Sequence, residues 1–344
     1  MIKEIKKAMT PVNLHPEHEG NRKSMISVVL PVFNEVMNLR PFYDELMAEI
    51  EALREVDWEI IFVDDGSTDA SAEIVLSLRA QDARVKLLRL SRNFGSHAAL
   101  TAGLRYAQGD AAVIMSVDLQ DPPEIIPNLL KEWKNGHHVV WGIRRTRKDP
   151  WSKKFLAGLF YRFFRKVALP DFPEGGMDLS LFDRRVINEL LEIHDRHGYL
   201  FATVHWMGFR QACVPYDRAV RLGGVSKWSL ARRFKAAIDL IVSFSYFPIR
   251  FMSYLGLTVS LLSFLYAIEL VFEKVFLGKG GVGWPSLMVT ILFLGGVQLT
   301  MMGVLGEYLW RATEQVKGKP PYIIMEAVGF DLKGQKENAK LSIR

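Results

Sequence analysis

Short apolar runs alternate with amphipathic stretches through about Ile143, and long apolar stretches follow Phe244. Met25 to Val32 (MISVVLPV) reads as a buried strand. Val36 to Arg54 then has helical spacing, with Leu39, Phe42, Leu46 and Ile50 on one face. A second strand, Trp58 to Val63, runs into Asp64-Asp65-Gly66-Ser67-Thr68-Asp69, where Gly66 allows a tight turn and Ser67 or Thr68 can cap the next helix. Val85 to Leu90 is a third strand and Gly95 to Ala107 a helix. Ala111 to Met115 is a fourth strand, a helix runs through Trp133, and His138 to Ile143 is a fifth strand. Strands alternating with helices in this rhythm predict an α/β domain with a mostly parallel sheet covered on both faces.

Phe251 to Leu270 and Trp284 to Gly306 are each about 20 residues of apolar sequence, the length that crosses a bilayer core. Trp284, Tyr308 and Trp310 stand where interfacial aromatics belong. Lysine and arginine are denser on the outer flanks than in the intervening loop. The positive-inside rule therefore puts the α/β domain and both termini in the cytoplasm, under an inner membrane. Two further stretches, Trp151 to Leu169 and Ala231 to Phe247, mix basic and aromatic residues at helical spacing and read as helices lying in the membrane plane. The expected division is an arm at 1–23 and a cytoplasmic domain at 24–228 containing an interface helix at 154–168. A juxtamembrane helix at 229–247, a transmembrane hairpin at 248–310 and a cytoplasmic tail at 311–344 follow.

Composition sharpens this picture at two points. Hydrophobic residues make up 49% of 344 residues and concentrate after Phe244, while the formal charge is +6. Because the basic clusters are interleaved with apolar residues, the charge suits a membrane surface and not nucleic acid. The single cysteine, Cys213, excludes an internal disulfide framework and reads as a small buried apolar residue.

Candidate chemistry lies at strand ends, where an open α/β sheet binds its ligand. Neither the glycine fingerprint of dinucleotide folds nor a P-loop follows the first strand. Instead, Asp118, Gln120 and Asp121 follow the fourth strand, ahead of Pro122-Pro123, and Pro123 with Glu124 opens the next helix. In extended chain Asp118 and Gln120 share a face. A carboxylate with an amide oxygen suits Mg²⁺ or Mn²⁺ bridging to phosphates. A polar strand-to-helix turn is the alternative. Asp64 and Asp65 can accept from a nucleotide or simply form their turn. Arg144 and Arg145 could receive a phosphate or be solvated charge, and Asp178 could act near a substrate or cap a helix.

Pro31-Val32-Phe33-Asn34-Glu35, Asp64-Asp65-Gly66-Ser67 and Asp118-Leu119-Gln120-Asp121-Pro122-Pro123, in that order, resemble the signatures of family 2 glycosyltransferases with the GT-A fold. Arg221-Leu222-Gly223-Gly224-Val225-Ser226-Lys227 is similar to the R-x-x-G-x-S-K loop of the polyprenyl-phosphate glycosyltransferases within that family. The two apolar spans, Gly306-Glu307-Tyr308 and Pro320-Pro321-Tyr322 point to the bactoprenol branch. The resemblance implies that Pro31, Asn34, Glu35, Asp64 and Asp65 line a nucleotide pocket and that Asp118 and Gln120 hold the metal. It further implies that Arg221, Ser226 and Lys227 cover a diphosphate and that Asp178 lies near the acceptor. Ser116 departs from the pattern, because many relatives carry a further Asp there.

The expected reaction is inverting, metal-dependent transfer of a hexose, glucose first, from UDP-glucose to undecaprenyl or another polyprenyl phosphate. The expected partners are the nucleotide sugar, the lipid, the membrane and further copies in a homo-oligomer. A GDP-mannose-dependent synthase on the same acceptor, or a non-catalytic nucleotide-sugar-binding scaffold that Ser116 would suit, are the alternatives. A processive polysaccharide synthase would need a Q-x-x-R-W motif that Trp206 to Arg210 does not supply.

Overall fold

The computed structural model describes residues 23–145, 158, 162–170, 172–173, 177–193, 199–218, 238–277 and 283–331. Five strands and four helices alternate first: β1 (Ser24–Val32), α1 (Val36–Ala52), β2 (Val56–Asp64), α2 (Ser71–Gln81), β3 (Val85–Leu90), α3 (Ser96–Tyr106), β4 (Ala111–Ile114), α4 (Ile126–Lys134) and β5 (Val139–Arg144). These match the spacing of apolar positions, and Leu39, Phe42, Leu46 and Ile50 of α1 are all buried. Beyond them come β6 (Ser180–Asp183), α5 (Arg184–Glu192), α6 (Leu200–Trp206), β7 (Gln211–Tyr216), α7 (Phe247–Leu277), α8 (Trp284–Val316) and β8 (Ile324–Val328).

All eight strands form one sheet in the order β7-β5-β6-β4-β1-β2-β3-β8. β1 pairs in parallel with β2 and β4, β2 with β3, and β5 with β7. The parallel expectation holds for this part. It needs correction at β6, which enters antiparallel between β4 and β5, and at β8, which is antiparallel to β3. Both are short, four and five residues, so neither gives a periodic signal in the sequence. Pro215 sits in edge strand β7, where its missing N–H removes no ladder bond. Cys213 on the same strand is exposed, contrary to the buried position expected of it, because the edge of a sheet offers less cover than its centre.

Apolar side chains fill both faces of the sheet, α1, α2 and α4 covering one and α3, α5 and α6 the other. Gly103 of α3 lets that helix approach β2 closely, since a Cβ there would stand 3.0 Å from Val63 Cγ2. Near the amino ends of the strands, Glu59 of β2 is a buried hub. It accepts from the Ser27 hydroxyl, from Lys86 Nζ at 2.5 Å, and from the N–H groups of Gln108 at 2.5 Å and Gly109 at 3.2 Å. One carboxylate thereby ties β1, β2, β3 and the entry to β4.

α7 and α8 contain two stretches, Phe247–Leu270 and Ser286–Val316, that are long and apolar enough to cross a membrane, and neither is buried in the protein. They are attached at their roots. Arg311 of α8 donates to Asp239 at 2.5 Å and to Glu307 at 3.0 Å, and Tyr308 Oη donates to the Ser245 carbonyl at 3.1 Å. Ser245 Oγ in turn donates to the Val167 carbonyl at 2.6 Å. Residues 162–167 and 238–244 are helical within the two stretches expected to lie on the membrane; 151–157, 159–161 and 231–237 of those stretches, and the arm at 1–22, fall outside the described residues.

Replacing Glu59 with Ala leaves the Lys86 ammonium, the Ser27 hydroxyl and the Gln108 N–H without their buried partner, while the Gly109 N–H keeps Ser27 Oγ at 2.9 Å. The expected cost is about 3–5 kcal/mol, the range for breaking a buried charge pair from one side. Thermal unfolding of the detergent-solubilised variant against the parent checks it.

Candidate active site

The carboxyl ends of β1, β2 and β4 open on one edge, because Val32 lies opposite Asp64 and Val29 opposite Ile114. After β1 the chain turns at Asn34, whose φ is 55°. Its N–H donates to Ser67 Oγ at 3.0 Å, and its side-chain oxygen accepts from the Thr68 N–H at 2.8 Å. The Glu35 N–H donates to Ser71 Oγ at 2.9 Å. These bonds join the β1–α1 and β2–α2 turns. They also correct the expected cap: Ser67 is engaged by Asn34, and the Ser71 N–H that opens α2 donates to Asp69 Oδ1 at 3.0 Å. Pro31, half-buried, lies one pair back from the turn, opposite Val63.

Asp64 and Asp65 are both buried and both hold backbone. Asp64 Oδ1 accepts from the Ser67 N–H at 2.9 Å, and its Oδ2 lies 3.3 Å from Arg89 Nε without hydrogen-bond alignment. Asp65 accepts from the N–H groups of Phe94 at 2.7 Å and Gly95 at 2.9 Å, the residues that lead into α3. Burial pushes the Asp65 carboxyl above its usual range, against the pull of those two donors. Gly66 completes the turn with φ 71°, and a Cβ there would meet the Arg92 backbone carbon at 2.5 Å. Turn formation is therefore a demonstrable task of this acidic pair.

β4 ends at Ile114, four residues before Asp118. The expected extended path through Asp118 and Gln120 is incorrect. Leu119 has φ 57°, and the Gln120 N–H folds back to Asp118 Oδ1 at 3.2 Å. Burial nevertheless alternates: Ser116, Asp118 and Gln120 are half-buried, whereas Val117, Leu119 and Asp121 are buried. Pro123–Ile125 forms a 3₁₀ turn leading into α4, as the prolines implied. Among the described residues no group of three His, Cys, Asp or Glu converges as a self-sufficient metal cage. A carboxylate and an amide oxygen on an open turn fit a hard cation that takes its remaining positions from phosphate and water oxygens.

Across from this turn, Arg144 at the end of β5 donates to Asp178 Oδ2 at 2.6 Å, and its Nε points to Tyr216 Oη at 3.4 Å. Arg145 instead makes a 3.8 Å ion pair with Asp217 on the surface. The helix-capping alternative for Asp178 is incorrect. β6 intervenes, and α5 is capped by Asp183, which accepts from the Arg185 N–H at 3.0 Å. Arg221, Ser226 and Lys227 lie outside the described residues.

The model of the family described as Glycosyl transferase family 2 matches residues 27–214. The chain belongs to that family. It is 39% identical over 307 residues to the uncharacterized glycosyltransferase sll0501 of Synechocystis, covering 89% of this chain and 96% of the relative. It is 40% identical over 303 residues to the SfII prophage-derived bactoprenol glucosyl transferase of Shigella flexneri, covering 88% of this chain and 98% of the relative. Among solved structures, the mannosyltransferase PcManGT of Pyrobaculum calidifontis in complex with GDP-Man and Mn²⁺ aligns with 91% of this chain and 92% of its own. Its sequence identity is 18% and its TM-score 0.47. The sheet of this glycosyltransferase is of the GT-A type, and the two exposed apolar helices mark it as membrane-associated.

Two site residues, Tyr216 and His97, went unrecognised in the sequence. Tyr216 donates to Asp121 Oδ1 at 2.5 Å, joining β7 to the Asp118 turn. Asp121 is fully buried, which pushes its carboxyl upward even as Tyr216, Arg144 and Arg218 pull it down. The Tyr216 hydroxyl is raised by burial and by the Asp121 charge. Only the Asp121 motif itself was a signal; its partner lies 95 residues on in a short edge strand. His97, in the first turn of α3, packs its ring against Tyr199 at 4.4 Å.

Burial pulls His97 down to about 4 from an ordinary 6.5. Between these values the unfolded chain binds a proton that the folded chain excludes, so stability falls as pH drops through that window. The residue as a whole is only half-buried, so the full shift, about 3 kcal/mol, is an upper bound. The apparent Tm in detergent should decline from about pH 7 to about pH 5. His97→Gln should flatten the decline; an unchanged slope would assign it to another group.

Proposed function

We propose that this glycosyltransferase moves glucose from UDP-glucose to a polyprenyl phosphate, undecaprenyl phosphate, at the cytoplasmic face of an inner membrane. The carrying observation is that the likeness to a bactoprenol glucosyl transferase runs through both the catalytic domain and the apolar hairpin, at 40% identity over 88% of this chain. A hairpin rooted on the catalytic domain suits an acceptor whose tail stays in lipid while its headgroup reacts in water. The basic flanks of α7 and α8 favour both termini on the cytoplasmic side.

In this reading Asn34, Glu35, Asp64 and Asp65 shape the nucleotide pocket through the turns they brace, and Pro31 lies at its floor. Asp118 and Gln120 would hold Mg²⁺ or Mn²⁺, which supplies neutralisation of the diphosphate's charge. Arg221, Ser226 and Lys227 would add stabilisation to that diphosphate as its charge builds. The acceptor phosphate is already largely dianionic near pH 7, its second pKa being about 6, so it needs placement more than deprotonation. Arg144 receives it, with Arg145 at the entrance. Asp178, committed to Arg144 at 2.6 Å, orients that guanidinium. A phosphate oxygen forms the new bond to the anomeric carbon as the bond to the nucleoside diphosphate breaks. That diphosphate leaves with the electron pair, and the anomeric centre inverts.

A detergent extract supplied with a divalent cation and labelled donors tests this. Label from UDP-glucose should enter a lipid-soluble product with the mass of a hexosyl polyprenyl phosphate, and chelation should suppress it. Asp118→Ala should lower the rate about 10²–10³-fold, the scale for losing one charge-stabilising group. Transfer from GDP-mannose alone would reassign the donor. Absence of transfer from every UDP-hexose and GDP-mannose, or full cellular function of Asp118→Ala, would favour a non-catalytic scaffold.

A further inference from the structure

We infer that Tyr216 is a positioning residue that holds the acceptor arginine, Arg144, in place against the buried Asp121. This rests on the proposed role of Arg144. Its hydroxyl donates to Asp121 Oδ1 at 2.5 Å and faces Arg144 Nε at 3.4 Å as acceptor. Asp121 follows Gln120 directly and is fully buried, so its position fixes the end of the Asp118 turn. Arg144 is the cross-strand partner of Tyr216 in the β5–β7 ladder, and only 13% of its side chain is exposed. Its other end is fixed by Asp178 at 2.6 Å. Arg218 lies 3.7 Å from Asp121 Oδ1 and offsets part of that charge. A single phenol oxygen on β7 therefore connects the segment after β4 to the end of β5.

A packing role and a positioning role differ in what they change. A tyrosine that only filled space would, when altered, reduce the amount of folded enzyme and leave both KM values unchanged. A tyrosine that aims Arg144 would change the acceptor KM while sparing the donor KM, since the donor turns at Asn34, Asp64 and Asp65 are braced by separate bonds. Small displacements of a charged group at a reacting centre carry large rate penalties.

Steady-state kinetics of Tyr216→Phe against both substrates, with Arg144→Lys and the double variant, test this in the full chain. Tyr216→Phe should raise the KM for polyprenyl phosphate about tenfold and lower kcat, with the donor KM within about twofold. The double variant should be little worse than Arg144→Lys alone, because the two residues act as a unit. Asp121→Asn, which still accepts from the hydroxyl but lacks the charge, should show the same split at smaller size, and serves if Tyr216→Phe folds poorly. Unchanged KM values in both variants, or strictly additive effects with Arg144→Lys, would overturn the inference while leaving the proposed reaction standing. An Arg144→Lys enzyme with a normal acceptor KM would overturn the acceptor assignment and this inference together.

Discussion

The parallel register of β1 between β2 and β4 is the constraint on which the rest depends. It sets Val32 beside Asp64 and Val29 beside Ile114, so three strands release their chains at one edge of the sheet. Everything polar that the site uses from Asn34 to Gln120 follows one of those releases. A slip of one residue would send alternate side chains to the wrong face and bury charge in the apolar layers. The Glu59 hub secures the register from the other end, joining β1, β2, β3 and the entry to β4 through a carboxylate with only 4% of its side chain exposed. The sheet thus has one end closed by internal pairing and one end left to bind.

Burial then divides the acids at the open end among different tasks. Asp65 has both oxygens on backbone N–H groups and holds the entrance to α3 in place. Asp121 is sealed under Tyr216. Asp118 stays half-exposed on a turn that Leu119 makes by adopting a left-handed backbone conformation, which costs a leucine about 1–2 kcal/mol. The surrounding structure sustains that cost because Leu119 itself is buried. Ser116, two residues before Asp118, adds no negative charge to this turn.

The alternating core was legible because every α/β unit there repeats the same signal: a strand of four to nine residues, then a helix with one apolar face. Asp118 and Gln120 were legible as a pair, though for a reason that proved incomplete. Their shared exposure comes from alternate burial around a left-handed turn, not from an extended strand. Asp64 and Asp65 could be placed but not apportioned, since nothing local says that Phe94 and Gly95 will supply donors to Asp65 from 29 and 30 residues away while Asp64 takes the nearby Ser67 N–H. β6, β7 and β8 were illegible for the same physical reason. Their stability comes from neighbours in the sheet, and short strands carry little information about neighbours distant in sequence. Tyr216 was lost with β7.

The membrane segments complete the argument about geometry. α8 is fixed at its root by Arg311, whose guanidinium is only 11% exposed between Asp239 and Glu307. Asp239 and Glu307 are themselves 35% and 41% exposed, so these pairs add little stability, but they hold the guanidinium at a defined distance from residue 239. From α8 the chain returns to the catalytic domain, where β8 covers the edge of β3 and the Ile323 carbonyl accepts from the Ser91 N–H. Ser91 opens the loop that Asp65 holds at Phe94 and Gly95, so the segment leaving the hairpin braces the same loop from outside. The catalytic domain is therefore attached to the hairpin twice, through Ser245 with Val167 and through β8 with β3. One attachment would leave the domain free to swivel above a bilayer. Two attachments, at separate points of the fold, restrict that rotation and give an acceptor anchored in lipid a fixed approach to the open edge of the sheet.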